Sequence, residues 1–358
     1  MTDDAAMFSQ LGPTEGTTTH EAKQRFLTCA QSGFLKHAID TSLGGYGDSF
    51  HHLCQTHEML GEHTQDTGLV LALNAHIWGA IFPLLRFGNN EQKAALLPSL
   101  LNGQTIAGHA ITEPDAGSDT QAMQACAVET ADGYQLTGHK RFITNTPIAD
   151  MFVIYAKLDG VITAFIVYSD DTGATFCDGP AVSGCATATM GDILLQDCLI
   201  PKNRLLGKPG AGGMMIQLAM ELERAFIFAG VAGIMQWQLD QVVSYVKNRI
   251  IGEEALSKKQ AISHCIADMK LRLDTTRMWV QQCAQQCDQN KRITISSAQT
   301  KLYASEAFLQ SSLDAVHMCG SHGMTGKLAV LVQDAMAGRL FSGTSEVQKN
   351  IIAGMMGL

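Results

Sequence analysis

AVETADGYQL (127–136), MFVIYAK (151–157), VITAFIVY (161–168) and DILLQDCLIP (192–201) are four short runs of strand-like composition separated by turn residues, among them Asp132-Gly133. They predict a small β-domain within residues 105–206. Outward from it on both sides the pattern changes period. Residues 18 to about 100 carry apolar residues at helical spacing, broken at LGGYGD (43–48) and FGNN (87–90), and Thr67 to Leu85 is almost wholly apolar, as a core helix is. After Gly213 long helices return in MIQLAMELERAFIFAGVAGIMQWQLDQVVSYVKNR (215–249) and AISHCIADMKLRLDTTRMWVQQCAQQC (261–287). Helices, strands, then helices is an α+β layout rather than a doubly wound one. The expected division is an N-terminal helical domain (1–106), a middle β-domain (107–207) and a C-terminal helical domain (208–358).

Composition narrows the function. With 46% hydrophobic and 16% charged residues, the 358-residue chain reads as well-buried and globular. The 17 methionines read first as core filling. A net charge of −9 with no Lys/Arg run argues against nucleic acid, which needs clustered cations facing phosphates. Apolar stretches such as Ala225–Met235 are too short to cross a bilayer, and MTDDAAMFSQ is acidic where a secretory leader is basic; the expectation is a cytoplasmic protein. Ten irregularly spaced cysteines without a CxxC read as reduced thiols. His57, Glu58, Glu62 and His63 suggest a zinc helix, but the histidines are six apart rather than four, so no metal site is expected. With no GxGxxG after a strand and no Walker A, a Rossmann-type dinucleotide site is not expected either.

At the boundary between helices and strands stands TEPDAGSD (112–119), which resembles the signature of the acyl-CoA dehydrogenase family. RFGNNEQKAALLPSLLNGQTIA (86–107), GYQLTGHKRFITNTPIADMFVIYAK (133–157), ELERAFIFAG (221–230) and FSGTSEVQKNIIA (341–353) are similar to family segments in the same order, so that the resemblance spans roughly residues 35 to 358. The wording of 112–157 and 341–358 is especially similar to dehydrogenases acting on aminoacyl groups, such as prolyl, held on a carrier protein. The resemblance implies FAD and α,β-dehydrogenation of a short acyl or aminoacyl thioester, bound to a carrier protein or to CoA. It further implies reoxidation by an electron-accepting flavoprotein or by oxygen, and a homotetramer sharing cofactors across subunits.

Such chemistry needs a desolvated carboxylate to take the α-proton and donors to hold the enolate-like oxygen. In many family members the base is a Glu before the Gly-Thr of the C-terminal segment; here Ser342 stands there. A branch of the family carries its Glu on a helix just before an Arg, and this chain has Glu223-Arg224 at that place, with Arg224 on the substrate side. Glu223 is therefore the expected base, although from pattern alone it could equally pair with a cation on the helix surface, as could Glu221. The resemblance also implies that the backbone N–H of Ser342, together with a flavin ribityl hydroxyl, donates to the thioester oxygen, a role that no change of side chain removes; pocket depth would be set around Glu223, His76 and Met220. For the flavin, the resemblance assigns His109, Ile111 and Thr112 to the strand beside the ring, with Thr112 near N5, Gly117 and Ser118 to the pyrophosphate, and Phe142 and Thr144 to the ring's other side. Arg249 would reach a neighbouring subunit's pyrophosphate, and Thr344 and Glu346 the adenylate half. Three positions depart from the family pattern: Arg249-Ile250-Ile251-Gly252-Glu253 lacks the usual aromatic, His317 stands where Gln is common, and Gly320-Ser321 replaces a glycine pair. These departures keep two further readings open, an enzyme using Glu223 without flavin redox (elimination, cyclisation or isomerisation) and a non-catalytic partner subunit of the same fold.

Overall fold

The computed structural model describes residues 2–12 and 18–358. Six helices come first: α1 (Thr2–Leu11), α2 (Thr19–Gln31), α3 (Phe50–Thr64), α4 (Thr67–His76), α5 (Phe82–Phe87) and α6 (Asn90–Leu101). Local chemistry sets their starts. Thr18 with Glu21, and Asn89 with Gln92, form capping boxes at α2 and α6, each satisfying two backbone N–H groups that the first helical turn leaves free. Between α4 and α5 the helix widens into a π-turn, Ile77–Ile81. The whole Thr67–Phe87 stretch is long and apolar enough to cross a bilayer, which corrects the expectation that none is; 94% of its most apolar window is buried inside the protein.

Eight strands form one sheet: β1 (Ala107–Ala110), β2 (Cys126–Glu129), β3 (Gly133–Ile143), β4 (Met151–Leu158), β5 (Val161–Tyr168), β6 (Ala174–Asp178), β7 (Gly191–Pro201) and β8 (Leu205–Leu206). The order is β6-β7-β3-β2-β4-β5-β8, with β1 pairing β4 in parallel through Ala107–Met151 and His109–Val153. β4 and β5 are buried along most of their length, which explains their continuous rather than alternating apolar sequences. Asn145, in the turn after β3, has a positive φ of 73° and donates its amide to the carbonyls of both Ala72 and Ala107. That one side chain fastens α4 to β1.

The chain closes with α7 (Gly212–Asn248), α8 (Gln260–Asp288), α9 (Thr294–Cys319), α10 (Lys327–Gly338) and α11 (Ser345–Met355). α7 is the central element, packing on α3, α4, α8 and α9. It meets α3 at nearly bare backbone: a Cβ on Gly61 would overlap the Gly230 carbonyl, and one on Gly233 the Glu58 carbonyl. Close approach, not flexibility, explains these glycines. All ten cysteines are free. His57 and Glu58 serve local structure, bonding the Leu53 carbonyl and Arg277. Elsewhere His37, Asp48 and His52 bring three ligand-type atoms within 4.8 Å, with His37 Nδ1 hydrogen-bonded to Asp48 at 2.5 Å.

Candidate active site

Glu223 lies on the inner face of α7, 4% exposed, beside the fully buried Phe226. Glu221, two residues earlier and so about 200° around the helix, takes a different path. It accepts from Gln217 and from Thr294 Oγ1 and belongs to the helix surface. The surface-pair alternative for Glu223 is thereby excluded. Arg224 does not neutralise it directly; its Nε donates to the carbonyl of Ser342 at 2.8 Å. Burial pulls the Arg224 pKa below its ordinary value, against the opposing charges of Glu223 and Glu221.

The Ser342 side chain has a partner. Its hydroxyl donates to Glu223 Oε1 at 2.5 Å, bridging 119 positions of sequence. The loop that presents it turns through two left-handed residues, Ser342 at φ 55° and Gly343 at φ 90°. A non-glycine residue there is strained, so the loop must be held from outside. Arg224 holds the Ser342 carbonyl, Gln348 Nε2 donates to Gly343 O at 2.8 Å, and the buried Lys301 donates to Arg339 O at 2.9 Å. Burial, and next the nearby Arg224 charge, push the Lys301 pKa down to about 7.

The second oxygen of Glu223 is different. Among the described residues Oε2 accepts no hydrogen bond, and it lies 3.5 Å from His109 Nε2 on β1. His109 Nδ1 is likewise buried without a partner. The imidazole lies against the π-turn, where a Cβ on Gly79 would sit 2.8 Å from its Cγ. Buried polar atoms left unsatisfied cost about 1–3 kcal/mol each, and two of them, Glu223 Oε2 and His109 Nδ1, belong to this one pair of side chains.

The flavin expectations divide. Thr112 and Phe142 are brought side by side, because the carbonyl of Thr112 accepts from the backbone N–H of Arg141 at 2.9 Å. Phe142 is 48% exposed at φ 55°, an aromatic ring offered outward from a strained position, and Thr144 follows half-buried. The carbonyl of Ile111 is occupied by Lys140 Nζ, which also forms a buried ion pair with Glu113 at 2.7 Å and so fixes the TEPDAGSD turn. Gly117 and Ser118 are exposed in that turn, and only Thr112 Cγ2, at 4.0 Å, would meet a Cβ on Gly117. An outward aromatic face, an open glycine turn and unpartnered polar atoms fit a flat, polar-rimmed ring system such as FAD carries. Thr344 is the N-cap of α11, accepting from the Val347 N–H, and Glu346 is exposed in that helix's first turn. His76, expected near the acyl pocket, spans the Leu100 carbonyl and the Ala107 N–H and is fully buried. Arg249, expected at a neighbouring subunit's cofactor rather than at this site, caps the far end of α7, 26 residues from Glu223, about 39 Å at 1.5 Å per residue. There it lines a cavity of about 370 Å³ with Tyr245, Asn248 and His322.

Helices on either side of a sheet in sequence, with a buried carboxylate on α7 facing His109 of β1, are consistent with the acyl-CoA dehydrogenase type of protein. The chain belongs to the acyl-CoA dehydrogenase family: residues 12–104, 108–198 and 210–357 match its N-terminal, middle and C-terminal domain models. It is 34% identical to the L-prolyl-[peptidyl-carrier protein] dehydrogenase of Pseudomonas fluorescens, over 98% of this chain and 96% of that protein. Among solved structures it is similar to the prolyl acyl carrier protein oxidase AnaB (TM-score 0.92, 32% identity, 96% of this chain and 92% of that one). It is similar also to PigA with FAD and proline (TM-score 0.91, 33% identity, 100% and 93%).

Proposed function

We propose that this chain is an FAD-dependent dehydrogenase acting across the Cα–Cβ bond of a short acyl or aminoacyl thioester carried by a carrier protein in a biosynthetic pathway. One observation carries the reading: a buried carboxylate, Glu223, with one oxygen held by Ser342 and the other free. A free oxygen on an enclosed carboxylate is what removal of a weakly acidic C–H requires, since water would otherwise solvate the charge away. The α-proton passes to Glu223 Oε2, and the electron pair it leaves delocalises onto the thioester oxygen. That oxygen is met by the backbone N–H of Ser342, in a loop already fixed by Arg224 and Gln348. Thr112, Phe142, Gly117 and Ser118 would hold FAD, which would supply a two-electron acceptor for the β-hydrogen. Of the two carriers, similarity to proteins named for prolyl groups on carrier proteins favours the carrier-bound thioester over the CoA ester.

The three-part division (1–106, 107–207, 208–358), a cytoplasmic setting for its free thiols and an electron-accepting flavoprotein or oxygen complete the reading. A homo-oligomer accords with α8, which exposes Leu271 and Met278 one above the other at i,i+7. The test is anaerobic mixing of the FAD-loaded protein with a prolyl-loaded carrier protein and, separately, with prolyl-CoA and butyryl-CoA. Bleaching of the flavin by the carrier-bound thioester at a rate well above either CoA ester is expected. Equal rates would overturn the carrier assignment, and product formed with the flavin left oxidised would overturn the dehydrogenase reading.

A further inference from the structure

We propose that His109 is a positioning residue acting through Glu223: it receives the hydrogen bond of the newly protonated base, so that the abstracted α-proton is held between Glu223 Oε2 and His109 Nε2. The inference rests on the dehydrogenase reading for the identity of the proton, and on geometry for the rest. The two atoms are the ends of a buried pair, 3.5 Å apart, too far for a hydrogen bond and with none formed. In the tautomer that carries its proton on Nδ1, Nε2 faces the carboxylate with a lone pair, and neither atom brings a proton to the gap. Adding one proton to Oε2 converts repulsion to an O–H···N hydrogen bond and draws the pair together. The step balances: the Cα–H bond breaks, the Oε2–H bond forms, the electron pair stays with the α-carbon and its thioester, and no oxidant enters.

His109 is suited to accept. Burial holds its pKa below the ordinary imidazole value, against the opposing pull of Glu223, so it rests neutral. The charged and titratable groups around it are otherwise committed. Arg224 is turned to the Ser342 carbonyl, His76 bridges Leu100 and Ala107, and Lys140 is bound to Glu113 and Ile111. Gly79 on the π-turn leaves room for the ring, and any larger residue would displace it from Glu223. Pairing with the base is thus a role different from the flavin contact that the family resemblance implies for this position.

The test uses the full chain labelled with ¹⁵N-histidine, the His109 signal being assigned by its loss in His109→Gln. In Glu223→Gln the His109 inflection is expected to fall, because the carboxylate that favours the imidazolium is gone while burial remains. An unchanged inflection overturns the pairing. A second readout needs no redox step: exchange in D₂O of the methyl protons of an acetyl group loaded on the carrier protein, a thioester with α-protons and no β-carbon. His109→Phe is expected to slow exchange about 10²-fold and to move the acid limb of its pH profile, with His109→Gln, which accepts but does not titrate, partly restoring the rate. A fall of equal size at every pH, with no rescue by Gln, would reduce His109 to packing. Flavin bleaching assayed in parallel separates failure of this inference from failure of the dehydrogenase reading.

Discussion

Replacing Ser342 with Ala removes one hydroxyl and leaves the backbone problem as it was. The lost bond is short, 2.5 Å, and ends on a carboxylate buried to 4% exposure, so Glu223 Oε1 is left with no replacement donor. Hydrogen bonds to charged groups contribute about 1.5–3 kcal/mol. For a 358-residue chain unfolding as one unit, an entropy of about 2.1 cal/mol/K per residue gives roughly 0.75 kcal/mol/K, so Tm should fall by about 2–4 °C. If the same bond orients Glu223 for proton removal, kcat/KM should fall about 10- to 150-fold, at 1.36 kcal/mol per decade. Ser342→Gly separates bond from backbone, because glycine tolerates φ 55° at no cost whereas Ser and Ala pay roughly 1 kcal/mol there. The Gly variant should therefore melt higher than the Ala variant by about 1–2 °C while showing the same loss of rate. Scanning calorimetry and steady-state kinetics on the three proteins read all of this. An Ala variant with unchanged Tm and kcat/KM would refute the reasoning.

Acid should destabilise the protein through two buried imidazoles. Burial holds His57 at about 3 and His76 at about 4, against 6.5 for the free side chain. Below pH 6.5 the unfolded chain binds protons that the native one refuses, so stability falls with pH, by about 2 kcal/mol per histidine at pH 5. Denaturation midpoints at pH 7 and 5 check this, and His57→Phe should remove about half of the difference. Gly79→Ala should cost about 1–3 kcal/mol through overlap with His109 and should lower the proton-abstraction rate, whereas an Ala variant of unchanged Tm and rate would mean that the π-turn has slack.

Long-period features were legible in the sequence. β4 and β5 start where their apolar runs start, and β3 and β7 within one residue of Asp132-Gly133 and Asp192. β6 and β8 were not expected as strands: they have five and two residues, and their pairing partners, not their composition, make them strands, whereas the strand that the resemblance implies around His109 is β1, which ends at Ala110 before Ile111 and Thr112. The base could be named only through the family resemblance, since Glu221 and Glu223 sit in the same apolar stretch and only the helix's orientation decides which is buried. The Ser342–Glu223 bond spans 119 positions and leaves no local trace. Nor could the π-turn be seen, for Ile77–Ile81 reads as ordinary core helix until Gly79 is found against the His109 ring. The same applies to Lys140, whose burial is tolerable only because Glu113, 27 residues earlier, meets it.

The central claim is that Glu223 takes the α-proton, and Glu223→Gln addresses it most directly, because the amide keeps the shape and removes the basic charge. Stopped-flow mixing of the yellow, FAD-loaded variant with carrier-bound prolyl thioester should show flavin reduction slowed about 10²- to 10⁴-fold, with the bound flavin's spectrum retained. Reduction at the unmodified protein's rate would contradict the account.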